Sequence, residues 1–234
     1  MSIAVELIGV RMPMSEDGTE TDFTFTAEMG EWVALVGSAG SGKSLILKLC
    51  AGLVAPEAGT LRVLGVDHAE LTEQDRAEFQ RRITIVLQQP GLLSNLTAFN
   101  NVALPLRYHR HMDETELESV VMSQLDAFGV ASLRDRFPAQ LNSGQARCVA
   151  LARAFAMQRE LVLLDDPTGG LDAEMMYRVA DVMADYKVSH RATIIMTARA
   201  PSPLLARADR VAFVRAGHIE SDDPALNLYL GGLP

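Results

Sequence analysis

The stretch Glu31-Trp32-Val33-Ala34-Leu35-Val36-Gly37-Ser38-Ala39-Gly40-Ser41-Gly42-Lys43-Ser44 constrains the fold more than any other part of the chain. Trp32 to Val36 is an apolar run of the length of a buried strand, and an apolar helical pattern runs from Leu45 to Leu53. Between them stands G-x-x-x-x-G-K-S, in which Gly37, Gly40 and Gly42 let the backbone curl with its N–H groups pointing inward. Strand, glycine turn and helix in this register make a cradle for nucleotide phosphates, because the helix adds its positive N-terminal end to the anion site. Gly37, Ser38, Ala39, Gly40, Ser41, Gly42, Lys43, Ser44 and Leu45 are the expected binding residues. Lys43 would reach the β- and γ-phosphates, and the Ser44 hydroxyl would ligate Mg²⁺.

With 234 residues, 48% hydrophobic and 22% charged, the chain suits one α/β domain with a real core. Its net charge of −9 offers no basic field to displace counterions from a nucleic-acid backbone, so nucleic acid is not expected as a partner. Arg76, Arg81 and Arg82 read as a solvated helix face. The alternating start Ile3 to Ile8 lacks the pattern of a signal peptide. No uncharged apolar run approaches the roughly 20 residues of a membrane helix, so no spanning segment is expected. Cys50 and Cys148 fall on apolar helix faces, outside any metal or redox spacing, as buried cysteines do in a reducing compartment.

Residues 3–10 and 22–28 alternate about the turn cluster Ser15-Glu16-Asp17-Gly18 and predict an antiparallel hairpin. Thr60 to Leu64 is a strand, Thr72 to Arg82 a charged helix, and Ile83 to Leu87 a β-branched strand suited to burial on both faces. A long helical stretch then runs from Asn95 to about Ala139, with Leu117, Val121, Leu125 and Phe128 on one stripe. Residues 89–139 are read as a helical subdomain inserted in a core of residues 1–88 and 140–234. Leu141-Asn142-Ser143-Gly144-Gln145 opens a helix through Met157, and Leu161 to Leu164 is a buried strand ending in Asp165 and Asp166. A helix from Ala173 to Lys187, a strand Ala192–Thr197 and a closing hairpin of Arg210–Arg215 with His218–Glu220 complete an α/β pattern with a mainly parallel sheet. Ligands gather at the carboxyl edge of such a sheet, which puts the strand end beside the phosphate loop. Asp165 is therefore expected to hold Mg²⁺, and Asp166 to orient or deprotonate an attacking water.

Taken with the phosphate loop, Gln88 after its strand, Leu141–Gln145, Asp165 and Thr168-Gly169-Gly170-Leu171-Asp172 make the sequence resemble the ATP-binding-cassette ATPases over nearly its whole length. These are the nucleotide-binding subunits of ABC transporters. The resemblance implies a P-loop NTPase core with an N-terminal antiparallel β part and an inserted helical subdomain. It also implies a head-to-tail dimer with a second such subunit, in which Asn142, Ser143, Gly144 and Gln145 of one chain close over ATP and Mg²⁺ on the phosphate loop of the other. Gln88 would sense the γ-phosphate and the metal. The implied partner is a separate membrane permease, which would place the chain on the cytoplasmic face of the inner membrane. The segment Gly91 to Leu106 is most similar to importer-type or lipid-trafficking cassettes, including the Mce/Mla lipid-transport ATPases. There it would form an apolar groove for a short helix of the permease, although the same residues also suit ordinary subdomain core.

Four positions depart from the family's pattern. Asp166 stands where Glu is usual, and a positioning error of about 1 Å can cost around 10²-fold in rate. Ala198 stands where a His should contact the γ-phosphate; His190 lies at the other end of that strand, leaving Thr197 and Arg199 as the nearest hydrogen-bonding side chains. Asn142-Ser143 replaces Ser-Gly in the signature, and Met12 and Met14 stand in for the usual aromatic against adenine. Two readings follow: a slow, working ATPase with Asp166 as base, or a nearly non-hydrolysing subunit that clamps a heteromeric complex. The apolar end Ala225 to Leu230 is expected to dock on its own domain.

Overall fold

The computed structural model describes residues 2–13, 21–110, 112–199 and 202–220. Alternation in β1 (Ile3–Arg11) and β2 (Phe23–Glu28) puts Val5, Leu7, Phe23 and Phe25 on a buried face, and the two strands pair antiparallel as expected. β4 (Ala58–Val63) takes the other side of β1, and β5 (Val66–Asp67) completes a sheet of order β2-β1-β4-β5. Leu64, expected inside a strand, instead forms a turn with Gly65: both have positive φ, 51° and 79°, the mirror-image turn that suits a two-residue hairpin.

The second sheet contains β3 (Trp32–Val36), β6 (Ile83–Val86), β7 (Leu161–Leu164), β8 (Thr193–Thr197), β9 (Arg210–Arg215) and β10 (His218–Glu220). Its order is β10-β9-β3-β8-β7-β6, and every neighbouring pair is parallel except β9 with β10. Both faces are covered, which is why β3 and β7 read as unbroken apolar runs and β8 as an apolar run between two buried threonines. Trp32, Ala34 and Val36 enter one core with α3 (Ala98–His109), α4 (Glu114–Ala127), α5 (Ser143–Ala156) and α6 (Ala173–His190). Val33 and Leu35 enter the other, with α1 (Lys43–Cys50) and the antiparallel sheet. The charged helix α2 (Glu73–Gln80), capped by Thr72, contributes Phe79 to that second core.

β6 is not buried on both faces. It is an edge strand paired with β7 alone, and its central Thr84 and Ile85 are half-buried. The expected helical stretch from Asn95 to Ala139 is divided: Thr97 caps α3, Asp113 caps α4, and short 3-10 turns at Ala131–Leu133 and Pro138–Gln140 follow. The stripe Leu117, Val121, Leu125 and Phe128 is buried as read. α1 stops at Cys50 rather than Leu53, because Gly52 turns the chain at φ 67°. Burial pushes the thiols of Cys50 and Cys148 up to about 12 and about 11, so both act as small apolar groups. The cluster Ser15–Gly18, Met14 and the stretch 225–230 lie outside the described residues. Among the described residues no helix is long and apolar enough to cross a membrane.

Candidate functional site

The strand order sets the carboxyl ends of β3, β8, β7 and β6 side by side, and the chain leaving them forms a cleft of 440 Å³. Gly37, Ala39, Gly40, Lys43 and Ser44 line it from β3, Thr197, Ala198 and Arg199 from β8, Asp165 and Asp166 from β7, and Gln88 from β6. The loop begins pressed against β9. A Cβ on Gly37 would lie 2.1 Å from the Val214 carbonyl oxygen, so no larger residue fits. Lys43 Nζ donates to the carbonyls of Gly37 (2.8 Å) and Ser38 (2.6 Å) and to Ser41 Oγ (3.2 Å), which ties the curl together around a cation. Its pKa is lowered, chiefly by burial and further by the charge of Arg199, against a raising effect of Asp165.

The carboxylates reach the loop less directly than the sequence implied. β7 is not the neighbour of β3; β8 runs between them. Ser44 Oγ donates to Asp165 Oδ1 at 3.0 Å across that gap, and Thr197 at the end of β8 fills it. The Thr197 hydroxyl donates to Asp165 Oδ1 (2.8 Å) and accepts the Asp166 N–H (2.9 Å). One buried hydroxyl thereby fixes both acidic residues. It also anchors Asp166 in a left-handed conformation, φ 51°, that costs an L-residue about 1–2 kcal/mol. Asp166 Oδ2 lies 3.4 Å from an Arg199 guanidinium nitrogen, and the Arg199 side chain is 75% exposed.

Gln88 and the 141–145 segment meet on a second, adjoining recess of 430 Å³ that also includes Asn142, Ser143, Asp166 and Gly170. Asn142 and Gln145 form a reciprocal cap at the start of α5: Asn142 Oδ1 accepts the Gln145 N–H (2.8 Å) and Gln145 Oε1 the Asn142 N–H (3.0 Å). Gly144 touches the 168–172 loop, since a Cβ there would stand 2.5 Å from the Gly170 carbonyl oxygen. Asp172 caps α6 through the Met175 N–H (2.9 Å). Sequence reasoning missed Arg147. This buried guanidinium donates to the carbonyls of Leu87 (2.8 Å) and Gln88, so α5 holds the exit of β6. Burial lowers its pKa, while Asp166 and Asp165 oppose that shift. The available signal was an arginine opening the otherwise apolar run Cys148–Leu151.

Other expected positions fall elsewhere. His190 stacks on Tyr186, ring centroids 4.3 Å apart, at the far end of β8 from the cleft. Met12 packs partly buried against the core of the antiparallel sheet, and Pro13 lines the recess beside Gly40 to Leu45. Ser44 and Asp165 offer two hard oxygen donors, and no group of three or more His, Cys, Asp or Glu side chains suited to a metal occurs among the described residues. That set fits Mg²⁺, which takes one or two protein ligands and fills its shell with water and phosphate oxygens.

Residues 21–169, a span running from the antiparallel sheet through the loop to the acidic strand, match the family described as ABC transporter. The chain belongs to that family. The methionine import ATP-binding protein MetN 1 of Rhodopseudomonas palustris is 35% identical over 208 residues, covering 89% of this chain and 56% of its own length. An uncharacterized ABC transporter ATP-binding protein of Mycobacterium tuberculosis is 35% identical over 216 residues, covering 88% and 86%. The probable ribonucleotide transport ATP-binding protein mkl of Mycobacterium leprae is 28% identical over 242 residues, covering 99% and 70%. The fold is that of a dimeric ATP-binding cassette solved in a post-hydrolysis state with ADP and Pi, with a TM-score of 0.86, 24% identity, and coverage of 94% of this chain and 97% of that one. A dimeric bacterial ABC transporter cassette gives a TM-score of 0.83 at 25% identity, covering 92% and 96%. As an ABC transporter domain, the chain has ATP as its nucleotide. The chain spans 56% of the length of the MetN protein it matches.

Proposed function

We propose that this chain is the ATPase subunit of an ABC transporter: it binds Mg-ATP on the loop Gly37–Leu45 at a head-to-tail dimer interface and hydrolyses it slowly. The observation that carries this is the convergence of Lys43, Ser44, Asp165, Asp166 and Gln88 on one 440 Å³ cleft at the carboxyl edge of the parallel sheet. Loop amides and Lys43 hold the phosphates, and Ser44 with Asp165 holds Mg²⁺. Bound Mg²⁺ supplies charge neutralisation on the phosphate oxygens. Asp166, its backbone fixed by Thr197, positions the water, and Gln88 reaches the same cleft from the end of β6. The second phosphate-facing surface comes from a partner copy or a paralogue through Asn142, Ser143, Gly144 and Gln145; the capping box takes the N–H groups of Asn142 and Gln145, so those of Ser143 and Gly144 serve the phosphate. Asp in place of the usual Glu, and Ala198 in place of the usual His, keep turnover low.

The transport partner in this reading is a separate membrane permease, which holds the chain at the cytoplasmic face of the inner membrane. Its docking surface is the segment Gly91–Leu106 with α3. Asn101, fully buried, pins that segment by accepting the Leu93 N–H and sharing its two amide hydrogens among the carbonyls of Leu93, Leu96 and Thr97. Val102, Ala103 and Leu106 face the core, while Leu93, Leu104 and Tyr108 stay exposed at 45%, 45% and 81%. The exposed set suits an amphipathic helix laid across it. The named relatives are assigned methionine and ribonucleotides, so one cassette type serves chemically different cargo and the permease selects it. Lipid remains the cargo class suggested by the 91–106 segment. Equilibrium binding of ATP with Mg²⁺ to the purified chain tests the nucleotide site. Wild type should bind in the micromolar range, and Lys43→Ala should weaken binding by at least about tenfold. Equal affinity in the two proteins would refute the loop as the site.

A further inference from the structure

Three positive side chains surround the carboxylates of the cleft, and they differ in what else they hold. Lys43 is committed to the loop carbonyls and Arg147 to those of Leu87 and Gln88. Arg199 makes a single contact, one guanidinium nitrogen 3.4 Å from Asp166 Oδ2, and its other donors have no partner among the described residues. It lines the cleft together with Gly37, Gly40 and Lys43, two residues beyond Thr197 on the strand that separates the loop from the carboxylates. Its charge is felt at Lys43, whose proton it helps to loosen. Lys43 and Arg199 thus share one cleft with Asp165 and Asp166, and Arg199 loosens the Lys43 proton less than Asp165 holds it. A phosphate placed between the two cations draws on both. The remaining groups on this strand end cannot do the same work: Ala198 presents a buried methyl, and the Thr197 hydroxyl is already used by Asp165 and Asp166.

We propose that Arg199 is a phosphate-contacting residue that exchanges partners: it holds Asp166 before nucleotide binds and passes to the terminal phosphate of ATP afterwards, releasing Asp166. The proposal rests on the reading of the loop as an ATP site. The exchange is physically favourable for three reasons. The Asp166 contact is a single long one, 3.4 Å, from a side chain that is itself mostly in solvent, and so is readily given up. A terminal phosphate carries more charge than a carboxylate and offers several oxygens to the planar fork of a guanidinium. The long, exposed side chain lines the same cleft as Gly37, Gly40 and Lys43, so both partners border the space it occupies. ADP lacks the terminal group, so Arg199 distinguishes the two nucleotides and links ATP arrival to the freeing of Asp166.

The test is equilibrium binding of fluorescent ATP and ADP analogues, with Mg²⁺, to the full chain as wild type, Arg199→Ala, Arg199→Lys, Asp166→Asn and the Asp166→Asn/Arg199→Ala double variant. Loss of one charge-assisted contact predicts ATP binding weakened by about tenfold in Arg199→Ala and ADP binding changed by less than about twofold. Arg199→Lys should recover part of the loss. Asp166→Asn should tighten ATP binding, because Arg199 then leaves no partner behind, and this gain should shrink by at least about threefold when Arg199 is Ala. Equal effects of Arg199→Ala on ATP and ADP, no effect on either, or an Asp166→Asn gain that is the same in both backgrounds overturns the exchange. A wild type that binds neither analogue, with Lys43→Ala no worse, overturns the ATP reading of the loop and the exchange with it.

Discussion

Thr197 shows how much of the site depends on one hydroxyl. It satisfies Asp165 Oδ1 and the Asp166 N–H together, and the second bond holds Asp166 in its left-handed conformation. Thr197→Val keeps the shape and removes both bonds, leaving the Asp166 N–H without this partner and Asp165 Oδ1 with the Ser44 hydroxyl, at a cost of about 1–3 kcal/mol. Denaturant titration should show that loss, with Thr197→Ser closer to wild type; an undiminished Val variant would mean the hydroxyl does not hold the acidic pair. The motif residues Lys43, Ser44, Asp165 and Asp166 were legible because each adjacent pair follows a local strand pattern, although the two pairs lie 121 residues apart. Thr197 was read only as a stand-in for a missing His. Its bridging place depends on β8 running between β3 and β7, a strand order that no local pattern encodes.

Among the elements, α5 organises the cleft from behind. Its first turn carries the Asn142–Gln145 cap, Gly144 abuts Gly170, and two arginines of its body hold the chain leaving β6. Arg147 takes the carbonyls of Leu87 and Gln88, while Arg153 takes those of Pro90 (2.9 Å) and Gly91 (2.8 Å). The helix and its cap could be read from the sequence, since Asn and Gln three residues apart before an apolar run are a known start signal. The arginines' partners lie about 60 residues away in the chain and could not. A related miss divides the 95–139 stretch: the continuous apolar stripe concealed caps at Thr97 and Asp113, although Asp113 with Glu116 carries the same kind of signal. Arg147→Met should free residues 87–89, raising amide exchange there at least about tenfold while α4 and α6 stay protected and Arg153 still holds Pro90 and Gly91. Unchanged exchange in residues 87–89 would show that Arg147 does not secure this segment.

At the scale of the whole molecule, two cores on either side of the parallel sheet leave its carboxyl edge as a working surface with two adjoining recesses. One is built from the phosphate loop and one from the 141–145 segment, and Gln88 and Asp166 border both. The sheet, the hairpins and the helix order followed from periodicity and turn residues, because β3, β7 and β8 are buried on two faces and read as short apolar runs. The edge position of β6 did not, since an edge is a property of the assembled sheet. Whether the surface hydrolyses ATP turns on Asp166 and on the charge that Arg199 brings to it. The most direct measurement is phosphate release by the complex purified with the proposed membrane permease, with wild type beside Lys43→Ala and Asp166→Asn. A working ATPase predicts turnover in the wild type that falls by about 10²-fold or more in both variants; the same low background in all three proteins would contradict hydrolysis at this site.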